Sequence, residues 1–302
     1  MTRPFRGIFA IAQTPFDGDS NLLWDDFERE CDFIARSGAH GFVWPVMASE
    51  FTVVSFPERM EGVRRAVDVV AGRIQVVIGV ADTTQDAAVR LAAEAGRVGA
   101  DAVITMPPWH TKMADNDAIL AYYRAVAEAA GVPVFIQNCD PPLGSALAAR
   151  FLADLCREIP LVQYVKEEKH PIGHSVSELI ALADDSLKGV FSGASCYWLI
   201  SEHKRGAAGN MPGCFIPDVD ARIWDLLEEG KVTEAREAHK AKMVLEYAVR
   251  GMPPRMGKKM VLVRRGVFSH AAGRYGSNTP LDETDLAELE YAMGCVAPYF
   301  AV

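Results

Sequence analysis

Nothing in this chain has the spacing of a metal site or a disulfide framework. Its six cysteines, Cys31, Cys139, Cys156, Cys196, Cys214 and Cys295, include no CxxC pair and no Cys/His cluster at ligand spacing. They read as reduced, mostly packed thiols, and no metal is expected. No apolar run reaches the roughly 18 residues a membrane span requires. The opening MTRPFRGIFA has no apolar stretch of signal-peptide length, so a cytoplasmic location and no membrane partner are the expectations. No GxGxxG follows the first apolar run and no P-loop occurs, which removes the best motif support for a dinucleotide fold. Long basic runs are also missing. With a formal charge of −9 and a pI near 5.3, the chain offers no basic face for nucleic acid. Its most basic stretch, RMGKKMVLVRR at 255–265, reads as one face of a helix in preference to an anion site.

What is present is an alternation. Half of the 302 residues are apolar and about a quarter charged, enough for a large core. GIFAIAQT is followed by the amphipathic WDDFERECDFIARSG, and GFVWPV by PERMEGVRRAVDVVAG, where Pro57 suits a first helical turn and Gly72 a stop. RIQVVIGV, DAVITM, VPVFIQN, LVQYVK and SLKGVFSG continue the pattern, each with a helical stretch behind it, and AAGNMPG is the weakest strand candidate. Eight such units with short links predict parallel βαβ repeats, and eight favour closure into a (β/α)8 TIM barrel. After about residue 216 the pattern turns purely helical. The expected organisation is a barrel over 1–215, with helices over 216–302 completing and extending it.

In such a barrel the loops after the strands carry function. VQYVKEE delivers Lys166 from a strand end into two carboxylates, where it can meet a carbonyl and form a Schiff base, or simply pair with Glu167 or Glu168. Ser49 and Glu50 follow strand two; a hydroxyl and successive N–H groups there can hold a carboxylate, or make an ordinary turn. His110, in the rigid PPWHTK loop, can titrate near neutrality or lie on the surface. Gln137 and Asn138 end strand five, where their amides can orient a substrate or satisfy the barrel rim.

In their order these stretches resemble the dihydrodipicolinate synthase / N-acetylneuraminate lyase family over residues 5 to about 300. That family is a (β/α)8 barrel with a C-terminal helical extension, commonly a homotetramer. Its Schiff-base lysine ends the sixth strand, and Lys166 falls there. Gly144, the Ser192-Gly193 pair and the Gly206 to Gly209 stretch fall on further family landmarks. The resemblance implies a small 2-keto acid as substrate, no cofactor beyond the covalent Schiff base on Lys166, and a homo-oligomer, tetramer or dimer. It assigns substrate contacts to Ala48, Ser49, Glu50, Asn138, Ser192, Gly193 and Met211, with Glu168 supporting them from behind.

The departures narrow the reading. The family's Gly-Thr-Thr-Gly-Glu is Val46-Met47-Ala48-Ser49-Glu50, its Tyr-Asn after strand five is Gln137-Asn138, its later arginine is Pro142, and its Tyr-Tyr after strand four is Trp109-His110. Without the tyrosine, synthase and sialic-acid lyase activity lose their general acid/base. The L-2-keto-3-deoxyarabonate dehydratase branch is similar at these places, with Ser-Glu, Pro-Pro-Tyr-His and Ile-Gln. The favoured expectation is a hydro-lyase of a 2-keto-3-deoxy sugar acid. Lys166 would form the iminium, and His110 with a water oriented by Gln137 would move the protons. Rival readings are a pyruvate-dependent aldolase or synthase-like condensation on the same iminium, and a keto-acid-binding protein without catalysis.

Overall fold

The computed structural model describes residues 3–107, 115–142, 146–253, 255–274 and 279–302. In it the eight apolar runs become β1 (Gly7–Ile11), β2 (Gly41–Trp44), β3 (Gln75–Gly79), β4 (Ala102–Thr105), β5 (Val134–Cys139), β6 (Val162–Glu168), β7 (Gly189–Ser192) and β8 (Gly209–Asn210). Between and after them run α1 (Trp24–Arg36), α2 (Phe56–Val70), α3 (Gln85–Val98), α4 (Asn116–Ala130), α5 (Ala149–Glu158), α6 (Ile172–Ala181), α7 (Leu199–Lys204) and α8 (Pro217–Glu228). All strands are parallel and each pairs with the next. β8 returns to β1 through Gly7↔Gly209 and Ile8↔Asn210, so the sheet closes into the expected barrel. β8 is only two residues long, which is why its sequence signal was weak. A Cβ on Gly209 would lie 2.1 Å from the Gly7 carbonyl oxygen, so glycine is what lets the last strand seat against the first.

Local chemistry sets the helix ends. Ser55 and Glu58 form a reciprocal capping box on α2, and Pro57 occupies its first turn. The stop falls on Ala71 in the left-handed region at φ +50°, one residue ahead of the expected Gly72. Thr84 and Asp115 cap α3 and α4, whose C-termini close on left-handed Gly99 and Gly131.

The strand period of two divides the core. Phe9, Val43, Val77, Ile104, Phe135, Tyr164, Phe191 and Met211 fill the barrel interior. Their strand neighbours Ile8, Phe42, Ile78, Val103, Ile136, Val165 and Val190 face the helices. The lower barrel is aromatic: Phe135 and Tyr164 stack at 4.6 Å, and Phe5 meets both rings edge-on. Above this packed plug, among the described residues, lies a cavity at the C-terminal mouth.

α8 packs on β1 and so completes the helical ring, which brings residues 217 to 228 into the barrel itself. α9 (Val232–Gly251), α10 (Met256–Arg264) and α11 (Glu283–Val296) follow; α9 lies against α8 and α11, and α10 lies against α9. Lys259, on α10, is fully buried. It bonds Glu50 at 2.6 Å, the Thr14 carbonyl at 2.8 Å and the Ala272 carbonyl at 2.7 Å, pinning the extension to the loops after β1 and β2. Five cysteines are buried and Cys295 is half-buried; all six thiols are free. Among the described residues no helix is long and apolar enough to cross a membrane, and no three His, Cys, Asp or Glu side chains are grouped to hold a metal ion.

Candidate active site

Parity along β6 decides what reaches the barrel mouth. Tyr164 points inward and Val165 outward, so Lys166 and Glu168 share the inner face and Glu167 the outer. Lys166 is 3% exposed. Its Nζ lies 2.8 Å from Glu168 Oε2, and that oxygen also accepts Gln137 Nε2 at 3.1 Å. Gln137 is the register partner of Lys166 across β5 and β6, which is why the amide meets the same carboxylate. The other oxygen, Glu168 Oε1, accepts the Ala194 backbone N–H at 3.3 Å. Gly193 makes room for it, since a Cβ there would sit 2.0 Å from that oxygen. Glu168 is therefore in direct contact with the amine, a closer role than the supporting one expected.

These groups open into a cavity of about 280 Å³. Its floor is Ile11, Gln13, Met211 and Gly213; one wall is Met47 and Ala48, and another is Ala194 and Ser195. Met47–Ser49 is a 3-10 turn in which Ser49 and Glu50 donate back to Val46 and Met47. Among the described residues the Met47 and Ala48 N–H groups have no such partner, so the turn presents two donors beside the cavity. A larger groove, about 560 Å³, runs between α9 and α11 past Tyr247 and Tyr291, but no buried amine faces it.

Several expected contacts are not made by the side chains proposed for them. Ser49 is buried and its hydroxyl donates to the Ala12 carbonyl at 2.6 Å, so it fixes the turn and does not face the cavity. Glu50, at φ +59°, turns its carboxylate away to Lys259 and Arg255. Asn138 and Ser192 have outward parity. The Asn138 amide bonds Leu147 through both its oxygen and nitrogen and also holds Glu167, fixing the end of the loop after β5. Ser192 donates to Glu202 at 2.6 Å and accepts from Asn210 at 2.8 Å. Burial pushes the Glu167 carboxyl up to about 7 and raises that of Glu202 as well, as expected of carboxylates behind the wall. Ala48 and Met211 line the cavity, and Gly193 lies against Glu168. His110, with Trp109 and Gly144, lies outside the described residues.

Two charged residues of the cavity were missed. Arg255 and Lys258 line the site from the start of α10, within the segment read as merely one helical face. The available signal was only the clustering of basic residues, because Arg255 precedes the helix in a left-handed conformation and Lys258 lies in its first turn.

Fold and site together define a (β/α)8 barrel whose buried amine ends the sixth strand. The chain belongs to the Dihydrodipicolinate synthetase family, whose sequence pattern matches residues 4–292, and it is a lyase of that family. It is 30% identical over 238 residues to an L-2-keto-3-deoxyarabonate dehydratase of Azospirillum brasilense, covering 78% of this chain and 77% of that one. Over 172 residues it is 27% identical to a probable 2-dehydro-3-deoxy-D-pentonate aldolase of Escherichia coli, covering 57% of each. The crystal structure of dihydrodipicolinate synthase from Rhodopseudomonas palustris superposes with a TM-score of 0.85 at 26% identity, covering 96% of this chain and 97% of that one.

Proposed function

We propose that this protein is a Schiff-base hydro-lyase acting on a 2-keto-3-deoxy sugar acid such as L-2-keto-3-deoxyarabonate. The observation that carries the reading is the buried Lys166 amine 2.8 Å from Glu168, with Gln137 on the same carboxylate. The dehydratase relative supports it, as does Gln137 standing where the family resemblance places a tyrosine.

The keto acid's C1 carboxylate accepts from the Met47 and Ala48 N–H groups. Glu168 takes a proton from the Lys166 ammonium, and the free amine adds to C2. Loss of water gives the iminium, with Glu168 returning the proton to the departing oxygen. The iminium draws electrons from C3, so a base removes a C3 proton and an enamine forms. The enamine then expels the C4 hydroxyl, which leaves as water once protonated. Hydrolysis of the resulting iminium returns Lys166, and the net change is loss of one water from the substrate. Glu168 is the base at C3, and His110 with a water on Gln137 is the proposed acid at C4. The lysine itself is the electron sink, so no further cofactor is proposed. Assembly as a homodimer or homotetramer is part of the proposal, supported by the exposed aromatic side chains Trp198 and Tyr247.

The test is borohydride reduction with 2-keto-3-deoxyarabonate and, separately, with pyruvate, followed by peptide mass spectrometry. An adduct on Lys166 lighter by one water than the sugar-acid imine supports dehydration. The aldolase relative favours a second reading, C3–C4 cleavage from the same iminium. A pyruvate-sized adduct formed from the sugar acid would establish that one instead. Absence of any adduct would remove both.

Gly193→Ala supplies a separate check on Glu168. The added Cβ must displace a carboxylate oxygen 2.0 Å away, and an ångström-scale misplacement costs about 100-fold in rate. A fall in kcat/KM of that order with an unchanged melting temperature is expected. Unchanged turnover would mean that the position of Glu168 is immaterial.

A further inference from the structure

We infer that Arg255 and Lys258 form a clamp for an anionic group of the substrate, contributed by the C-terminal extension and not by a barrel loop. The inference rests on the keto-acid reading of the cavity and adds to it. Both side chains line the cavity that holds Lys166, Arg255 from the left-handed residue just before α10 and Lys258 from its first turn.

The surroundings hold these cations in place without using up their donors. Arg255 gives one nitrogen, Nη1, to Glu50 Oε2 at 3.0 Å. Glu50 is already matched by the fully buried Lys259 at 2.6 Å, so the rest of the guanidinium remains for a ligand. Lys258 Nζ donates to Ser195 Oγ at 2.7 Å and lies 3.5 Å from Glu246 Oε2. Glu246 is shared, since it also accepts the Tyr197 hydroxyl at 3.2 Å and stands 3.9 Å from Lys242.

Ser195 is itself locked. It sits in the left-handed region at φ +53°, and its carbonyl accepts the fully buried Lys242, whose own counter-ion is Asp220 at 2.6 Å. A non-glycine residue is kept in that conformation only where its surroundings fix it. Here the result is a hydroxyl aimed at Lys258. A pre-positioned pair of charged donors at a cavity mouth is the arrangement that recognises carboxylate or phosphate.

The shared chemistry is an anionic oxygen group; 2-keto-3-deoxyarabonate carries one at C1 alone, whereas a 2-keto-3-deoxy sugar diacid carries one at each end. The Met47 and Ala48 N–H groups already serve C1, so the clamp suits a second acidic group at the far end of the sugar acid. The alternative source is the C1 carboxylate itself.

The experiment is titration calorimetry on Lys166→Met, which binds keto acids without forming an imine. The probes are 2-oxohexanoate and 2-oxoadipate, equal in length and differing by one terminal carboxylate. The same titrations on Lys166→Met combined with Lys258→Met, and with Arg255→Gln, complete the set. Binding of 2-oxoadipate about 10- to 100-fold tighter than 2-oxohexanoate, with the preference lost in both double variants, is expected for a clamp on the far end. An equal loss of affinity for both acids would assign the clamp to C1. Affinities for both acids that stay within about twofold in both double variants would overturn the inference. Arg255→Gln removes a half-exposed cation and leaves Lys242 and Glu246 untouched, so it remains informative if Lys258→Met does not fold. Imine formation plays no part in these titrations, so their failure is distinguishable from that of the Schiff-base reading, which borohydride trapping reports.

Discussion

Lys166→Ala is expected to lower kcat by at least about 10,000-fold, roughly 5.4 kcal/mol of barrier at 1.36 kcal/mol per tenfold. The change removes the covalent electron sink, and no other lysine among the described residues ends a barrel strand with inward parity. Lys258 is the nearest substitute by position, since it lines the same cavity, but its Nζ is held by Ser195 and Glu246. The variant should fold, because it leaves the aromatic plug below intact and Glu168, 14% exposed, keeps access to solvent in the cavity. It also leaves Glu168 with Gln137 and the Ala194 N–H as donors. The measurements are turnover on 2-keto-3-deoxyarabonate and borohydride trapping with pyruvate. Residual turnover within tenfold of the parent, or trapping at a different lysine, would show that the chemistry does not pass through this amine.

The barrel was readable because most strands are apolar runs of buried residues and several helices have conventional starts, at Ser55, Thr84 and Asp115. Strand-end parity was equally available, yet site residues chosen by family position did not use it. Asn138 and Ser192 lie beside the right positions with the wrong parity, and both are spent on holding the wall. Gln137, Lys166, Glu168 and Gly193 follow the inward set. Glu50 and the 255–265 segment illustrate a different limit. Nothing local tells that α10 crosses back over the mouth, because the Lys259 to Glu50 pair joins positions more than 200 residues apart. Breaking one partner of such a buried pair costs about 3–5 kcal/mol. The ion pair therefore ties the C-terminal extension to the same rim that carries Met47 and Ala48. Ser49 is the intermediate case: its position at the turn was legible, and the direction of its hydroxyl was decided by the Ala12 carbonyl.

Glu168→Gln is expected to separate the two proton steps. The amide keeps an oxygen that can accept from Lys166 and Gln137 and gives up only the long Ala194 N–H contact, so KM should change by no more than about threefold. What it loses is the ability to take a proton, and general-base catalysis of this kind is worth about 100- to 10,000-fold. We expect kcat to fall within that range. The diagnostic is deuterium exchange into the methyl group of pyruvate in D2O, followed by NMR, because exchange requires the iminium and then C3 deprotonation but no C4 elimination. In Glu168→Gln, trapping on Lys166 should persist at a reduced rate while methyl exchange nearly stops. In His110→Ala, by contrast, exchange should continue and only elimination from the sugar acid should slow, since that residue is assigned to the leaving hydroxyl. Exchange that survives in Glu168→Gln at near the parent rate would transfer the C3 step to another base. The carboxylate would then be left with the tasks its geometry also serves, which are holding the Lys166 ammonium at 2.8 Å and anchoring the Ala194 backbone beneath the clamp.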